Sequence, residues 1–470
     1  MKRFKSHCGV FLFLALWVAA CAHYPLNIKL AHYDDKAGYR FSQFQADSNN
    51  TDSLFICLAF SGGGTRAAAL SYGVLKKLGA IEIEWEGRRK RLLDEVDCIS
   101  SVSGGSFTAA YYALFRDRIF TDFADSFLYR NIQGELVAQL FSPINWVRLL
   151  SPYFSRIDLA AELYEASIFE GKMFRDLLTV QRRPFLILNA TNLTLGERFE
   201  FTQEQFDILG SDLGAYPVAR AVAASSAFPF LLSPVSLKNH PQPENYKTPL
   251  EYQNALKDFE RNRRRYEWAK NQVTYEEKNN HPFVHLMDGG LSDNLGLRFI
   301  SDNFRRGTIR SLINNDAINR LVIVVVNSRT EPPEDLDKRE SAPSLPTVAY
   351  KVATTAMDNY TFETIEMMKE LRDARLQAQR AVADCQNILK KSCPAAPPLP
   401  RLAGSIEPYV IEINFESLTE DTDRRTYFLS LPTSFSLSRK QVDDLIAVGQ
   451  ELLEKSPEFR RFIRDLGDQK

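Results

Sequence analysis

Twice within its first 115 residues the chain passes from a short, uninterrupted apolar run through a glycine-rich turn into apolar residues at helical spacing. The first instance is Leu54 to Phe60, then Ser61-Gly62-Gly63-Gly64, then Arg66 to Leu78 with Leu70, Val74, Leu75 and Leu78 on one face. The second is Val96 to Ser101, then Ser103-Gly104-Gly105, then Phe107 to Phe115. Further apolar runs at Phe185 to Ala190, Val284 to Met287 and Leu321 to Val326 have strand length. Strands apolar on both faces are buried on both faces, so this pattern predicts an α/β fold with a mostly parallel sheet covered by helices.

The remaining segments attach to that frame. Residues 119–178 are rich in Phe, Leu and Tyr and read as helical; core helices are the plain account, and capping a site or touching a bilayer is the other. Residues 240–281 are strongly charged around Arg261 to Arg265 and read as a solvated helical insertion. After Val326 come Glu331-Pro332-Pro333, a long helix-forming stretch to about Leu389, a proline-rich loop, a strand at Tyr409 to Phe415 and a helix from Arg439 to Leu453. This is expected to be an extension packed on the same domain. With 44% hydrophobic and 25% charged residues and a net charge of −1, the 470-residue chain has ample material for a core. The same balance excludes disordered, collagen-like and basic nucleic-acid-binding classes.

At the N-terminus, Lys2, Arg3 and Lys5 precede an apolar run from Val10 to Ala20 that is too short to span a bilayer and reads as a secretory signal. Val18-Ala19-Ala20-Cys21 resembles a bacterial lipobox, which implies lipidation of Cys21 and membrane anchoring; a plain signal cleaved nearby is the alternative. Residues 1–20 are then the signal peptide and 21–53 a polar tether. In a double-membrane bacterium, Ala22 after the cysteine favours the outer membrane by analogy. Cys57 and Cys98 lie in apolar strands, where buried free thiols are expected. Cys385 and Cys393 close a short loop and are either a disulfide or two free thiols. No His/Cys cluster has metal-ligand spacing, and no metal is expected.

Serine at a strand-to-helix turn is the geometry of a nucleophile elbow. Alignment of the GxSxG pattern on Gly105 makes Ser103 the nucleophile and puts Ser101 where the first glycine would stand. A glycine-serine turn without chemistry is the plain alternative. Gly62-Gly63-Gly64 follows a strand and opens a helix, so its unpaired N–H groups suit an anion: an oxyanion, or a phosphate. Gly62, Gly64 and Ala67 also satisfy GxGxxA, with Glu82, Glu84 and Glu86 downstream, but an exported chain would rarely meet a dinucleotide. Asp288-Gly289-Gly290 ends an apolar strand and places a carboxylate at the strand's C-terminal edge, where parallel-sheet sites lie. Of six histidines, at 7, 23, 32, 240, 281 and 285, none follows Asp288, so the order Ser, Asp, His cannot be completed with that acid. An earlier acid with His240, His281 or His285 is one alternative; a serine activated directly by aspartate is the economical one.

Gly62-Gly63-Gly64-Thr65-Arg66, Ser101-Val102-Ser103-Gly104-Gly105 and Asp288-Gly289-Gly290 together resemble the patatin-like phospholipases. Arg220 to Pro229 is similar to that family's Ala/Ser-rich helix leading to a proline. The resemblance spans about Leu54 to Leu297 and departs at Ser101 and at Ala67. It implies a three-layer fold with a catalytic domain over residues 54–330 and a C-terminal extension over 331–470. It also implies a Ser-Asp dyad of Ser103 and Asp288, with an oxyanion loop of Gly62, Gly63, Gly64 and Arg66, the arginine orienting the loop or meeting a lipid phosphate. The implied reaction is hydrolysis of acyl esters of membrane lipids or phospholipids, with no cofactor and no nucleic-acid partner. A non-catalytic membrane-anchored lipoprotein using the same fold for interaction is the alternative.

Overall fold

The computed structural model describes residues 22–467 apart from 181, 332–337, 339, 396, 398, 400–405 and 407. Cys21 and the signal segment lie outside the described residues. Among the described residues there are ten strands: β1 (Leu54–Phe60), β2 (Glu82–Trp85), β3 (Arg88–Arg91), β4 (Val96–Val102), β5 (Phe185–Asn192), β6 (Glu197–Glu200), β7 (Val235–Lys238), β8 (Phe283–Asp288), β9 (Arg320–Val326) and β10 (Pro408–Ile413). The main sheet runs β10-β9-β1-β4-β5-β8-β7, with β6 also on β5, and β2 and β3 form a separate antiparallel pair.

β10, β9, β1, β4 and β5 are parallel, and every residue of β1, β4 and β5 is buried, as both-face coverage requires. β8 runs antiparallel to β5 and β7 antiparallel to β8. Asp288 does end its strand as expected, but that strand is not one of the parallel set. β8 descends towards the elbow from beyond the end of β5, and Asp288, its last residue, pairs with Ala190, one residue past the Asn189 that pairs with Val102.

The helices that matter most follow the two glycine turns: α1 (Gly64–Ala80) after β1 and α2 (Gly104–Phe115) after β4. The region 119–178 contributes α3 (Ile132–Leu140) and α4 (Pro143–Leu149), and α5 (Val218–Ser225) follows further on. α6 (Gly290–Asp293) opens directly after Asp288-Gly289. Much of the 119–178 region is core: Ile119, Phe123, Phe127 and Leu128 are fully buried, and the Phe127 ring stacks on Phe107 with centroids 4.2 Å apart. In the charged insertion Arg263 pairs with Glu267 and Arg265 with Asp258 at the surface, so its cations serve local ion pairs.

The segment after Val326 supplies β10 at the edge of the sheet, a long helix α7 (Leu345–Ser392) and α8 (Arg439–Lys455), which packs against α1. That helix pair touches backbone to backbone: a Cβ on Gly73 would lie 2.3 Å from the carbonyl oxygen of Ile446.

Two expectations fail here. Residues 22–53 are not a loose tether. Tyr39 is fully buried, its hydroxyl donating to the Leu186 carbonyl at 3.0 Å and accepting the Leu186 amide at 2.9 Å, while Asn27 holds Ser211 and the Lys238 carbonyl. The polar composition that suggested a tether serves hydrogen bonds across the domain surface. Cys57 and Cys98 are not free thiols either. They are direct register partners on β1 and β4, with Cα atoms 4.7 Å apart, and form a disulfide. Cys385 and Cys393 are exposed and unbonded.

Candidate active site

β4 ends at Val102, and the chain turns into α2 through Ser103 at φ 49° and ψ −119°. A non-glycine residue with positive φ is strained and persists only where its surroundings hold it. Here they do: the Ser103 amide donates to Ser225 Oγ at 2.9 Å, and Ser225 Oγ shares a 2.9 Å hydrogen bond with Ser106 Oγ. Ser106 in turn donates to Ser101 Oγ at 3.2 Å, and Ser101 Oγ to the Ile187 carbonyl at 3.4 Å. Ser101, standing where a glycine was expected, thus uses its hydroxyl in a buried chain that supports the turn.

Asp288 is held from several sides. Its amide donates to the Ala227 carbonyl at 3.0 Å, its carbonyl accepts Thr191 Oγ1 at 2.9 Å, and its Oδ1 accepts the Gly290 amide at 2.8 Å. Its backbone can approach β5 this closely because Gly289 lacks a side chain: a Cβ there would sit 2.3 Å from the Asn189 carbonyl oxygen. The Asp288 carboxyl lies close enough to Ser103 for the hydroxyl to favour its charged form, so the two residues expected from the sequence meet. Burial raises the Asp288 carboxyl to about 6 against the lowering effect of the Gly290 amide and of Ser103.

The glycine loop lies against the elbow. A Cβ on Gly104 would fall 2.0 Å from the Gly64 carbonyl oxygen, and one on Gly62 would fall 3.3 Å from the Ser103 Cβ. Gly63 has φ 141°, a conformation that side chains rarely adopt, and caps the N-terminus of α1. The Gly62 amide is already spent on the Asn294 carbonyl at 2.9 Å, which removes it from the expected set of anion donors. Among the described residues the amides of Gly63 and Gly64 have no backbone acceptor. They open α1 and add its positive end to the site.

Arg66 departs from one of its two expected roles. It is 3% exposed; Nε donates to the Ser328 carbonyl at 2.9 Å, Nη1 to the Leu431 carbonyl at 2.8 Å and Nη2 to Thr433 Oγ1 at 3.0 Å. A guanidinium committed this way orients the loop and ties the C-terminal extension to it; it is not presented to a lipid phosphate.

Histidines stand elsewhere. His285 is exposed, with Nδ1 2.9 Å from Ser236 Oγ, and His240 Nε2 lies 2.8 Å from the Asn27 carbonyl. A cavity of about 270 Å³ lined by Phe55, Cys98, Phe185 and Arg198 opens at the starting ends of β1, β4 and β5 and includes none of the site residues. Ser225, Thr191 and Asn294 support the site without having been singled out; only Ser225 lay in a segment the sequence marked, within Arg220 to Pro229.

A mostly parallel sheet with helices on both faces, carrying a serine elbow beside a glycine-opened helix and a buried aspartate, defines a class of lipase-like α/β proteins. The patatin-like phospholipase family model matches residues 58–301, and the chain belongs to that family. No curated protein matches it significantly. Among solved structures it is similar to human GIVD cytosolic phospholipase A2, at 14% identity and TM-score 0.45, over 98% of this chain and 66% of that one. A structure of that human enzyme with methyl gamma-linolenyl fluorophosphonate and terbium chloride aligns at 13% identity and TM-score 0.40, over 98% and 64%. VipD from Legionella pneumophila aligns at 10% identity and TM-score 0.29, over 94% and 71%. The chain thus spans just under two thirds of the length of the human enzyme.

Proposed function

We propose that the protein is a serine lipid acyl hydrolase acting through a Ser103–Asp288 dyad on acyl esters of membrane lipids. The observation that carries this reading is the approach of Ser103, held at positive φ, to a desolvated carboxylate, beside the two uncommitted amides of Gly63 and Gly64. In the reaction, Ser103 Oγ attacks the ester carbonyl carbon as Asp288 takes its proton. The tetrahedral oxyanion is met by the Gly63 and Gly64 amides, a contribution typically of about 3 kcal/mol per donor. As the intermediate collapses, Asp288 returns the proton to the departing alcohol. Water, deprotonated by Asp288, then attacks the acyl-serine, and as the fatty acid leaves Asp288 returns that proton to Ser103 Oγ. Every proton is handled by one carboxylate, so no histidine is needed.

We further propose that Cys21 bears lipid and holds the protein in a bacterial envelope, favouring the outer membrane; the lipobox-like Val18 to Cys21 supports this. Labelling with a fluorophosphonate tests the catalytic reading. Wild type should take the label and Ser103→Ala should not, whereas a folded wild type that takes none would favour the non-catalytic lipoprotein.

A further inference from the structure

Among the exposed apolar side chains of the molecule, two groups lie close together. Phe141, Ile144, Leu150 and Tyr153, in and just after α3 and α4, are 70%, 65%, 70% and 54% exposed, and Phe230 and Leu231 are 63% and 68% exposed. Large apolar groups in such numbers mark a surface that is covered in use. Hydrogen bonds tie the two groups together, since Arg156 Nη1 donates to the Phe230 carbonyl at 3.2 Å.

Both groups also flank the site. Phe230 and Leu231 follow Ala227, whose carbonyl receives the Asp288 amide. At the start of α3, Gln133 Oε1 accepts Ser434 Oγ at 2.7 Å, and the Ser434 carbonyl receives the Thr65 amide at the glycine turn.

The N-terminal end of the described chain arrives at this same surface. Ser151 Oγ donates to the Ala22 carbonyl at 2.6 Å, the Tyr24 amide donates to the Tyr153 carbonyl at 2.8 Å, and the His23 ring stacks on Tyr153 with centroids 5.0 Å apart. Ala22, the first described residue, is therefore fixed beside Ser151 and Tyr153 and not on a free tether.

We propose that these side chains and the lipid on Cys21 form one bilayer-docking face that sets the mouth of the Ser103 site against the membrane surface. This rests on the reading of Cys21 as the lipidated residue and of the site as a lipid hydrolase. Among the described residues no helix is long and apolar enough to cross a membrane, so the face lies on the bilayer, with side chains entering only its outer region. The lipid supplies the anchoring, and the adjoining apolar face fixes how the site is turned towards the bilayer. Because Ala22, the residue after Cys21 in sequence, is held on this face, a lipid on Cys21 would keep the effective concentration of the face at the bilayer high.

Trp146, 55% exposed on α4, reports on the docking, whereas Trp85 is 3% exposed. The full chain, reconstituted in phosphatidylcholine vesicles with brominated acyl chains, should lose Trp146 emission to the bromines, and Trp146→Phe should remove the quenchable signal. Phe141→Ser combined with Leu150→Ser should restore most of the emission and lower turnover of vesicle lipid at least tenfold relative to turnover of a short monomeric ester by the same sample. Trp146 that is insensitive to bromine and freely quenched by aqueous iodide would overturn the proposal. So would a chain whose Phe141 face proves to hold a soluble dimer that persists on vesicles. If wild type hydrolyses neither ester yet Trp146 is quenched by bromine, the hydrolase reading fails and the docking face stands.

Discussion

Ser103 lies beside the Asp288 carboxylate, a group 3% exposed whose charged form is opposed by burial and favoured by the Gly290 amide and by the Ser103 hydroxyl. A base with its carboxyl raised to about 6 is ionised at neutral pH yet still basic enough to accept a serine proton in flight. Turnover of a soluble short-chain ester should therefore fall as pH drops through about 6, with one acidic limb in kcat/KM. Asp288→Asn should lower kcat by at least about 10³-fold, and His285→Ala should leave it within about twofold, the sizes expected for a base and for an exposed bystander. An acidic limb that survives in Asp288→Asn would assign the base to another group.

The same displacement has a stability consequence of opposite sign. Because the folded carboxyl titrates near 6 and an unperturbed one at 3.8, the native state binds the extra proton between those values. Stability therefore declines as pH rises from about 4 to 6, and above 6 the ionised Asp288 costs roughly 3 kcal/mol relative to acid conditions. Asp288→Asn, which removes that charge, should be more stable than wild type in urea unfolding at pH 7.5, with the advantage shrinking towards pH 4. Equal stability at both pH values would mean that burial of this carboxylate is relieved by a donor other than Gly290 and Ser103.

Gly104 and Gly64 bring the elbow and the glycine loop into backbone contact, with no room for a methyl group at Gly104. Gly104→Ala must therefore push α2 away from α1 or distort the turn at Ser103. We expect a loss of about 1–3 kcal/mol in stability and roughly 10²-fold in turnover, since a 1 Å misplacement is sufficient for that. Gly467→Ala, where a Cβ meets nothing within 4 Å, serves as the control and should change neither by a measurable amount.

The parts of this site that could be seen in the sequence are those with local signatures. Gly62 to Gly64, Ser103 and Asp288 each stand at the end of an apolar strand, where an abrupt change to glycine or to a reactive side chain marks a turn or a site. What escaped depends on contacts between distant segments. The pairing of Cys57 with Cys98 follows from the register of two strands that are both uniformly apolar, so no alternation marks which residues face each other. The direction of β8 is a matter of its pairing with β5 and β7, strands distant in sequence, which Val284 to Met287 cannot encode by themselves. The partners of Arg66 lie at positions 328, 431 and 433, far along the chain, so an arginine beside a glycine loop looks like an anion ligand until those carbonyls are seen. Residues 22–53 looked like a tether because their contacts, the rings of Tyr39 and Phe44 on Phe185 among them, are long-range and irregularly spaced, which periodicity does not register.

The disulfide joins the two strands that carry the glycine loop and the elbow, and it closes a separation of 41 residues. Cross-links of that span typically stabilise by about 2–4 kcal/mol, chiefly by restricting the unfolded chain. Cys57→Ser together with Cys98→Ser should therefore lower unfolding free energy by that amount in urea, with little change in kcat at 25 °C, because the bond lies within β1 and β4 and not in the turns beyond their ends. Mass spectrometry of the oxidised protein should show the Cys57–Cys98 peptide pair and alkylation of Cys385 and Cys393.

Arg66 provides the sharpest separation between positioning and substrate contact. Its removal leaves the carbonyls of Ser328 and Leu431 without their charged donor, and Arg66→Ala should cost about 2–3 kcal/mol of stability. Loss of that clamp lets the glycine loop drift, so turnover should fall by roughly 10–10²-fold on an uncharged short-chain ester and by the same factor on an anionic phospholipid. Arg66→Lys, which keeps the charge but not the forked geometry, should recover only part of either. A fall confined to the phospholipid, with the uncharged ester untouched and Arg66→Lys fully active, would instead mean that the side chain leaves its clamp to meet the substrate's phosphate.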